Sequence, residues 1–146
     1  MKTVSAKPAE MEERWYLIDA REQIVGRVAA KAAALLRGKH LADFSPHANM
    51  KTHVVVINAE QARFTGKKLN DKTYYWHSGW PGGLKAATAG ELLEKKPEEI
   101  LRRAINGMVP KNRLGRNMMT RVRIIRGAEH THQAQKPVAV DMTARS

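Results

Sequence analysis

The chain contains no cysteine, so disulfides and thiolate metal sites are excluded from the outset, and the composition is compatible with a reducing compartment. It also has no long apolar run. The longest, Val28-Ala29-Ala30 resumed at Ala32 to Leu36, is broken by Lys31 and falls far short of a bilayer span. Residues 1–20 hold Glu10, Glu12 and Glu13 and no apolar secretory core, so no signal peptide is read there and a cytoplasmic location is expected. Acidic side chains are scarce too. Fourteen Asp and Glu face twenty-six Lys and Arg, a formal charge of +12. Such a surface repels itself unless a polyanion neutralises it, which points to nucleic acid ahead of an anionic membrane.

What is present fits one folded unit. At 146 residues, 42% of them hydrophobic, the chain is long enough for a modest core and too apolar to be disordered throughout. One domain is expected over residues 1–146, with a core at about residues 14–128 and extended N- and C-terminal segments. The charge is segregated. Residues 1–60 carry nine basic and seven acidic side chains, residues 61–146 seventeen and seven, and residues 102–126 eight basic and none acidic. A generally basic protein has no need of that asymmetry; a polyanion-binding face does.

Hydrophobic patterning predicts an α/β layer protein. Residues 15–18 read as a short buried strand, and residues 26–36 as a largely packed helix closed by Arg37-Gly38. Residues 53–58 form a β-branched run suited to a central strand covered on both faces. Further extended segments are expected at residues 62–65 and 73–77, with a glycine-rich loop at residues 78–83. Thr88 precedes Glu91 by three residues, the spacing of a helix N-cap, and Pro97 is placed to open another helix. In that helix Ile100, Leu101, Ala104, Ile105 and Met108 are expected to share one seam. Residues 121–125 read as a strand with Val122 and Ile124 on one face and Arg121 and Arg123 on the other.

No catalytic motif survives inspection. Gly66-Lys67-Lys68 resembles the end of a nucleotide-binding P-loop, but Gln61 stands where its first glycine belongs and Lys68 replaces the Ser or Thr. Lys67, Lys68 and Lys72 are better read as flexible phosphate contacts, or simply as an exposed turn. Glu129-His130-Thr131-His132 offers metal-capable groups without any zinc-enzyme spacing. A small metal-dependent hydrolase would rest on that cluster alone; neutral imidazoles at His130 and His132 suit RNA contacts better. No metal, cofactor or small-molecule substrate is expected.

The strongest local feature is Gly107-Met108-Val109-Pro110-Lys111-Asn112-Arg113-Leu114-Gly115-Arg116, which reads as a compact connection. Lys111, Arg113 and Arg116 leave it with no acid nearby, and Arg121, Arg123 and Arg126 follow. Arginines two apart on a strand lie about 6–7 Å apart, comparable to neighbouring phosphates. A second group interleaves rings with cations: Tyr74, Tyr75, Trp76, His77 and Trp80 beside Lys72 and Lys85, with at least one of Tyr75 and Trp76 expected at the surface.

In order and spacing, the segments from Arg14-Trp15-Tyr16-Leu17-Ile18-Asp19-Ala20 through Gly26-Arg27-Val28-Ala29, Leu36-Arg37-Gly38-Lys39-His40, Val54-Val55-Val56-Ile57-Asn58-Ala59, Thr65-Gly66-Lys67-Lys68 and the loop at residues 77–85 resemble one known family. The segments at residues 107–116 and 127–132 complete the series. That family is the large-subunit ribosomal protein thirteen family in its bacterial form. The chain departs from its pattern at residues 48–52 and at Trp76 and Trp80. The resemblance implies a three-layer α/β/α fold with a small, mostly parallel central sheet. It implies a non-enzymatic constituent of the large ribosomal subunit that binds 23S rRNA, neighbours other large-subunit proteins and supports early assembly and translation. It adds Arg37, Lys39 and His40 to the expected RNA-binding residues, and no homo-oligomer is expected. The alternative is a free RNA-binding regulatory module, whose charge signature would be the same.

Overall fold

The computed structural model describes Lys7 and residues 11–142. The expected extended N-terminal segment lies mostly outside those residues, as does the tail beyond Met142. Four parallel strands form the central sheet in the order β5-β2-β1-β6: β1 is Arg14–Asp19, β2 Thr52–Ile57, β5 Val122–Ile124 and β6 Val138–Ala139. The expected central strand is indeed interior, and Val54, Val55 and Val56 are fully buried. Continuous β-branched residues fill both faces of such a strand without a polar gap. The class is α/β with a mostly parallel central sheet, as the sequence and the resemblance led us to expect. A separate antiparallel pair, β3 (Thr73–His77) with β4 (Leu84–Thr88), stands apart from it.

Helix α1 (Val25–Arg37) supplies the crossover that parallel pairing of β1 and β2 requires. Val28, Ala29, Ala32, Leu35 and Leu36 are buried, each large side chain contributing about 1.5–3 kcal/mol, while Arg27 faces solvent. The helix ends where Arg37-Gly38 predicts. Gly38 adopts φ 77°, its N–H bonds Leu35 O, and the Lys39 N–H bonds Ala34 O. A Cβ at Gly38 would sit 2.6 Å from Met50 Cγ, so this glycine also makes room for a buried methionine. The Thr52 hydroxyl donates to Leu36 O at 2.8 Å, tying the end of α1 to β2.

Helix α3 (Ala89–Lys95) begins with the expected capping box, Thr88 and Glu91 each bonding the other's backbone N–H. Helix α4 (Pro97–Met108) starts at Pro97, with Glu98 and Glu99 complementing its dipole. Ile100, Leu101 and Ile105 enter the core with Ile18, Val54, Val56, Val122 and Ile124. Met108, expected on that seam, is exposed instead, because the helix ends there and the chain turns away through buried Val109.

Two further expectations change. Residues 62–65 form no strand; Arg63 makes only a single parallel bridge to Ile24. The connection at residues 107–116 is half helix, since α5 spans Arg113–Met119. A one-turn helix, α2 (Lys68–Asp71), stands at the turn around Gly66, and a 3-10 turn spans Ala59–Gln61. No helix among the described residues is long and apolar enough to cross a membrane.

Candidate nucleic-acid interface

Residues 102–126 lack acids in sequence, but folding brings acids to part of them. The Arg103 guanidinium bonds Glu99 at 2.9 Å, with its carbon 5.6 Å from the Tyr74 ring centre. Arg126 pairs with Glu60 at 3.4 Å and donates to Glu94 O. Arg102 and Arg126 join Lys95 and Lys96 around an open cavity of about 560 Å³ that Glu98 and Glu99 also line. The expected continuous basic stripe is therefore divided among several elements.

Its least compensated part is α5. Asn112 caps this helix, its Oδ1 accepting the Gly115 N–H at 2.8 Å. The cap fixes where the helix starts and so where Arg113 and Arg116 point. Both are exposed, three residues apart on one helix, and neither makes an ion pair among the described residues. Their Cβ atoms are therefore about 5–6 Å apart. Lys111 turns back and donates to Asn106 O, one of the last-turn carbonyls of α4, at 2.7 Å.

Arg121 and Arg123 do not make the free strand face that alternation suggests. Arg121 is half-buried just ahead of β5, with its guanidinium on Asn49 Oδ1 at 2.6 Å. Arg123 is exposed and donates to Thr120 O at 2.6 Å. On this sheet face Trp15 and His53, partners in the β1–β2 register, stack with ring centres 4.2 Å apart. His132 leans on the same indole at 5.3 Å, bringing the C-terminal segment back to the sheet. Sequence reading missed Trp15, His53 and Asn49 here, because only strand pairing and long-range packing unite them.

A third group surrounds the end of α1. His40 Nε2 lies 2.6 Å from the Tyr16 hydroxyl; Lys39 is exposed, and Arg37 sits 5.8 Å from the Phe44 ring centre. The hairpin forms a fourth group. Lys72 lies over Tyr74 at 5.2 Å, Lys85 is exposed opposite Trp76, and His77 Nδ1 accepts the Gly79 N–H at 2.9 Å. Lys67 and Lys68 are exposed, Lys68 bonding the Thr65 hydroxyl. His130 is half-buried.

Two imidazoles are held toward their neutral form. Burial lowers the pKa of His40, reinforced by Arg14 and Lys31. Burial lowers that of His53, and Arg121, Arg123 and His132 outweigh the opposing Glu13. Both pKa values then lie below about 6.5, their value in the unfolded chain. The unfolded chain binds more protons in the window beneath that value, so stability is full above it and falls as pH drops through the folded pKa values. Urea midpoints are expected to fall between about pH 7 and pH 5. His53→Phe, which keeps a ring against Trp15, should flatten that dependence. An unchanged pH profile in the variant would exclude His53 as a source.

Comparison with known proteins accords with this chemistry. The family model described as ribosomal protein L13 matches residues 13–131. The chain is 47% identical to the large ribosomal subunit protein uL13 of Halorhodospira halophila, over 97% of this chain and 100% of that protein. It is 49% identical to that of Aquifex aeolicus over 99% and 100%, and 51% identical to that of a Geobacillus species over 96% and 97%.

Proposed function

The chain belongs to the ribosomal protein L13 family, bacterial type, and from that membership we propose a large-subunit protein that holds 23S rRNA through dispersed basic groups. At the coarser level it is a structural constituent of the large ribosomal subunit and not an enzyme. The finer reading adds RNA contact, support of early subunit assembly and translation, and neighbouring large-subunit proteins, acting as one folded unit without homo-oligomers. The observation that carries it is the pair of uncompensated, capped-helix arginines Arg113 and Arg116 on a chain of charge +12. Lys111, Arg121, Arg123 and Arg126 supply further cationic groups on other elements. So do Arg37, Lys39 and His40, the Lys67, Lys68 and Lys72 turn, His77 and Lys85 on the hairpin, and His130 and His132.

Dispersal is what a structural RNA protein needs. Separate cationic groups on separate elements can engage separate backbone segments and fix their relative placement, whereas one stripe would track a single strand. Binding of the purified chain to large-subunit rRNA fragments, measured across salt concentrations, tests this. With ~8 phosphate contacts, log K should fall against log salt with a slope of about −6 to −7. A salt-insensitive association, or none, would sink the reading. Loss of the protein from large subunits after a moderate salt wash would favour the free regulatory module instead.

A further inference from the structure

The β3–β4 hairpin is anchored through Tyr74 on one face, where Trp76 is 39% exposed, while its other face is open among the described residues. The register pairs Tyr74 with Ala87 and Trp76 with Lys85 on one face, and Tyr75 with Ala86 and His77 with Leu84 on the other. On the first face Tyr74 is half-buried against the core, between the cations of Lys72 and Arg103. On the second, Tyr75 is 61% and Leu84 64% exposed, and Trp80 in the connecting loop is 76% exposed. Tyr75 and Leu84 are diagonal neighbours across the ladder, and exposed apolar side chains grouped in this way mark an interaction surface where scattered single ones do not.

Three observations decide the chemistry of that occupant. Residue 86, directly across the ladder from Tyr75, is alanine, so the cross-strand neighbour is a methyl group too small to cover the phenol ring. His77 Nδ1 accepts the Gly79 N–H, which places the ring proton on Nε2 and leaves a hydrogen-bond donor on the imidazole's other side. Residues 72–88 contain Lys72 and Lys85 and no acid, and Arg103 of α4, itself paired with Glu99, reaches the hairpin to donate to Tyr75 O at 3.4 Å. Backbone hydrogen bonds from Ser78 to Gly83 and from Gly83 to Trp80 close the loop, so Trp80 is carried on a defined turn.

The geometry points to the Tyr75–His77–Leu84 face as a stacking site for unpaired RNA bases, with Trp80 at its loop end. An A-form duplex keeps its base faces inside the stack; only a looped-out or single-stranded nucleotide offers one to a ring. Tyr75 supplies the platform, the His77 Nε2–H bonds a base edge or ribose, and Lys72 and Lys85 attract the flanking phosphates. This rests on the RNA-binding reading and adds to it the class of RNA engaged at this hairpin.

The test compares the full chain with its Tyr75→Ala and Tyr75→Phe variants. Binding to a short oligoadenylate and to a blunt RNA duplex of equal length is measured by anisotropy at several salt concentrations. Tyr75→Ala should weaken oligoadenylate binding about 5- to 160-fold, the range that removing a stacking ring gives, without changing the salt slope. Tyr75→Phe, which keeps the ring, should bind like the parent, and duplex binding should not change in either variant. Equal oligoadenylate affinity in parent and Tyr75→Ala overturns the site, and so does equal weakening on both RNAs. If the parent binds neither RNA, the stacking site is overturned, while the RNA reading of the whole protein stands or falls on the large-subunit rRNA fragments. If Tyr75→Ala keeps its RNA affinity but loses another large-subunit protein in reconstitution, the face is a protein-docking surface and the proposal fails.

Discussion

Replacing Gly115 with alanine should lower the unfolding free energy by ~3 kcal/mol or more, while the same change at Gly107 should be neutral or mildly stabilising. Both glycines belong to one ten-residue segment, and from sequence they look equivalent. In the fold they are not. A Cβ at Gly115 would overlap the Pro110 carbonyl oxygen and sit 2.8 Å from its carbon. Both atoms are backbone, so no rotamer change relieves the clash; the first turn of α5 must move away from the chain before it. That turn is also where the Gly115 N–H meets Asn112 Oδ1, so the cap is lost with it. Gly107 lies inside α4, where an added Cβ would meet nothing within 4 Å, and it has no positive φ. There alanine adds helix propensity of about 0.5–1 kcal/mol. Urea unfolding of the two single variants measures both. A Gly115→Ala protein as stable as the parent would mean that α5 does not approach Pro110 this closely.

The contrast marks what the sequence can and cannot disclose. Local signals were legible: the alanine-rich helix ending at Gly38, the Thr88–Glu91 box and the valine strand all act within a few residues of themselves. The start of α5 was not, because Gly115 reads as a breaker unless Asn112 is seen as its cap. The strand expected at residues 62–65 failed for another reason. An extended segment becomes a strand only when a neighbour offers a ladder, and here Ile24 meets Arg63 alone.

Charge is likewise only partly legible in the sequence. Counting acids along residues 102–126 found the cation-rich part of the chain but not its neighbours, since Glu60 reaches Arg126 from far away in sequence. Glu99, only four residues from Arg103, was predictable from helical spacing once α4 was placed. Trp15, His53 and His132 illustrate the harder case. Each looks unremarkable in its own segment, and the ring stack exists only because β1 pairs with β2 and the C-terminal segment returns.

Those distinctions sharpen what removing Arg113 and Arg116 together should do. Arg103 and Arg126 already have carboxylate partners, and Arg121 is engaged by Asn49, so releasing RNA from them leaves protein contacts behind. Arg113 and Arg116 have no such alternatives among the described residues, and counterion release on RNA binding should be greatest there. Each phosphate contact contributes about 0.7–0.9 to the slope of log K against log salt, so the double Arg113→Ala, Arg116→Ala variant should be shallower by about 1.4–1.8. Extrapolated to ~0.1 M salt, that corresponds to roughly 25- to 60-fold weaker binding, vanishing toward 1 M. Stability should change little, because both side chains are exposed and neither supports the Asn112 cap. Arg102→Ala with Arg126→Ala provides the comparison. With Arg126 already paired to Glu60, that variant should lose less slope while carrying the same change in net charge. Equal losses in the two double variants would show that overall charge, rather than the placement of α5, sets the affinity.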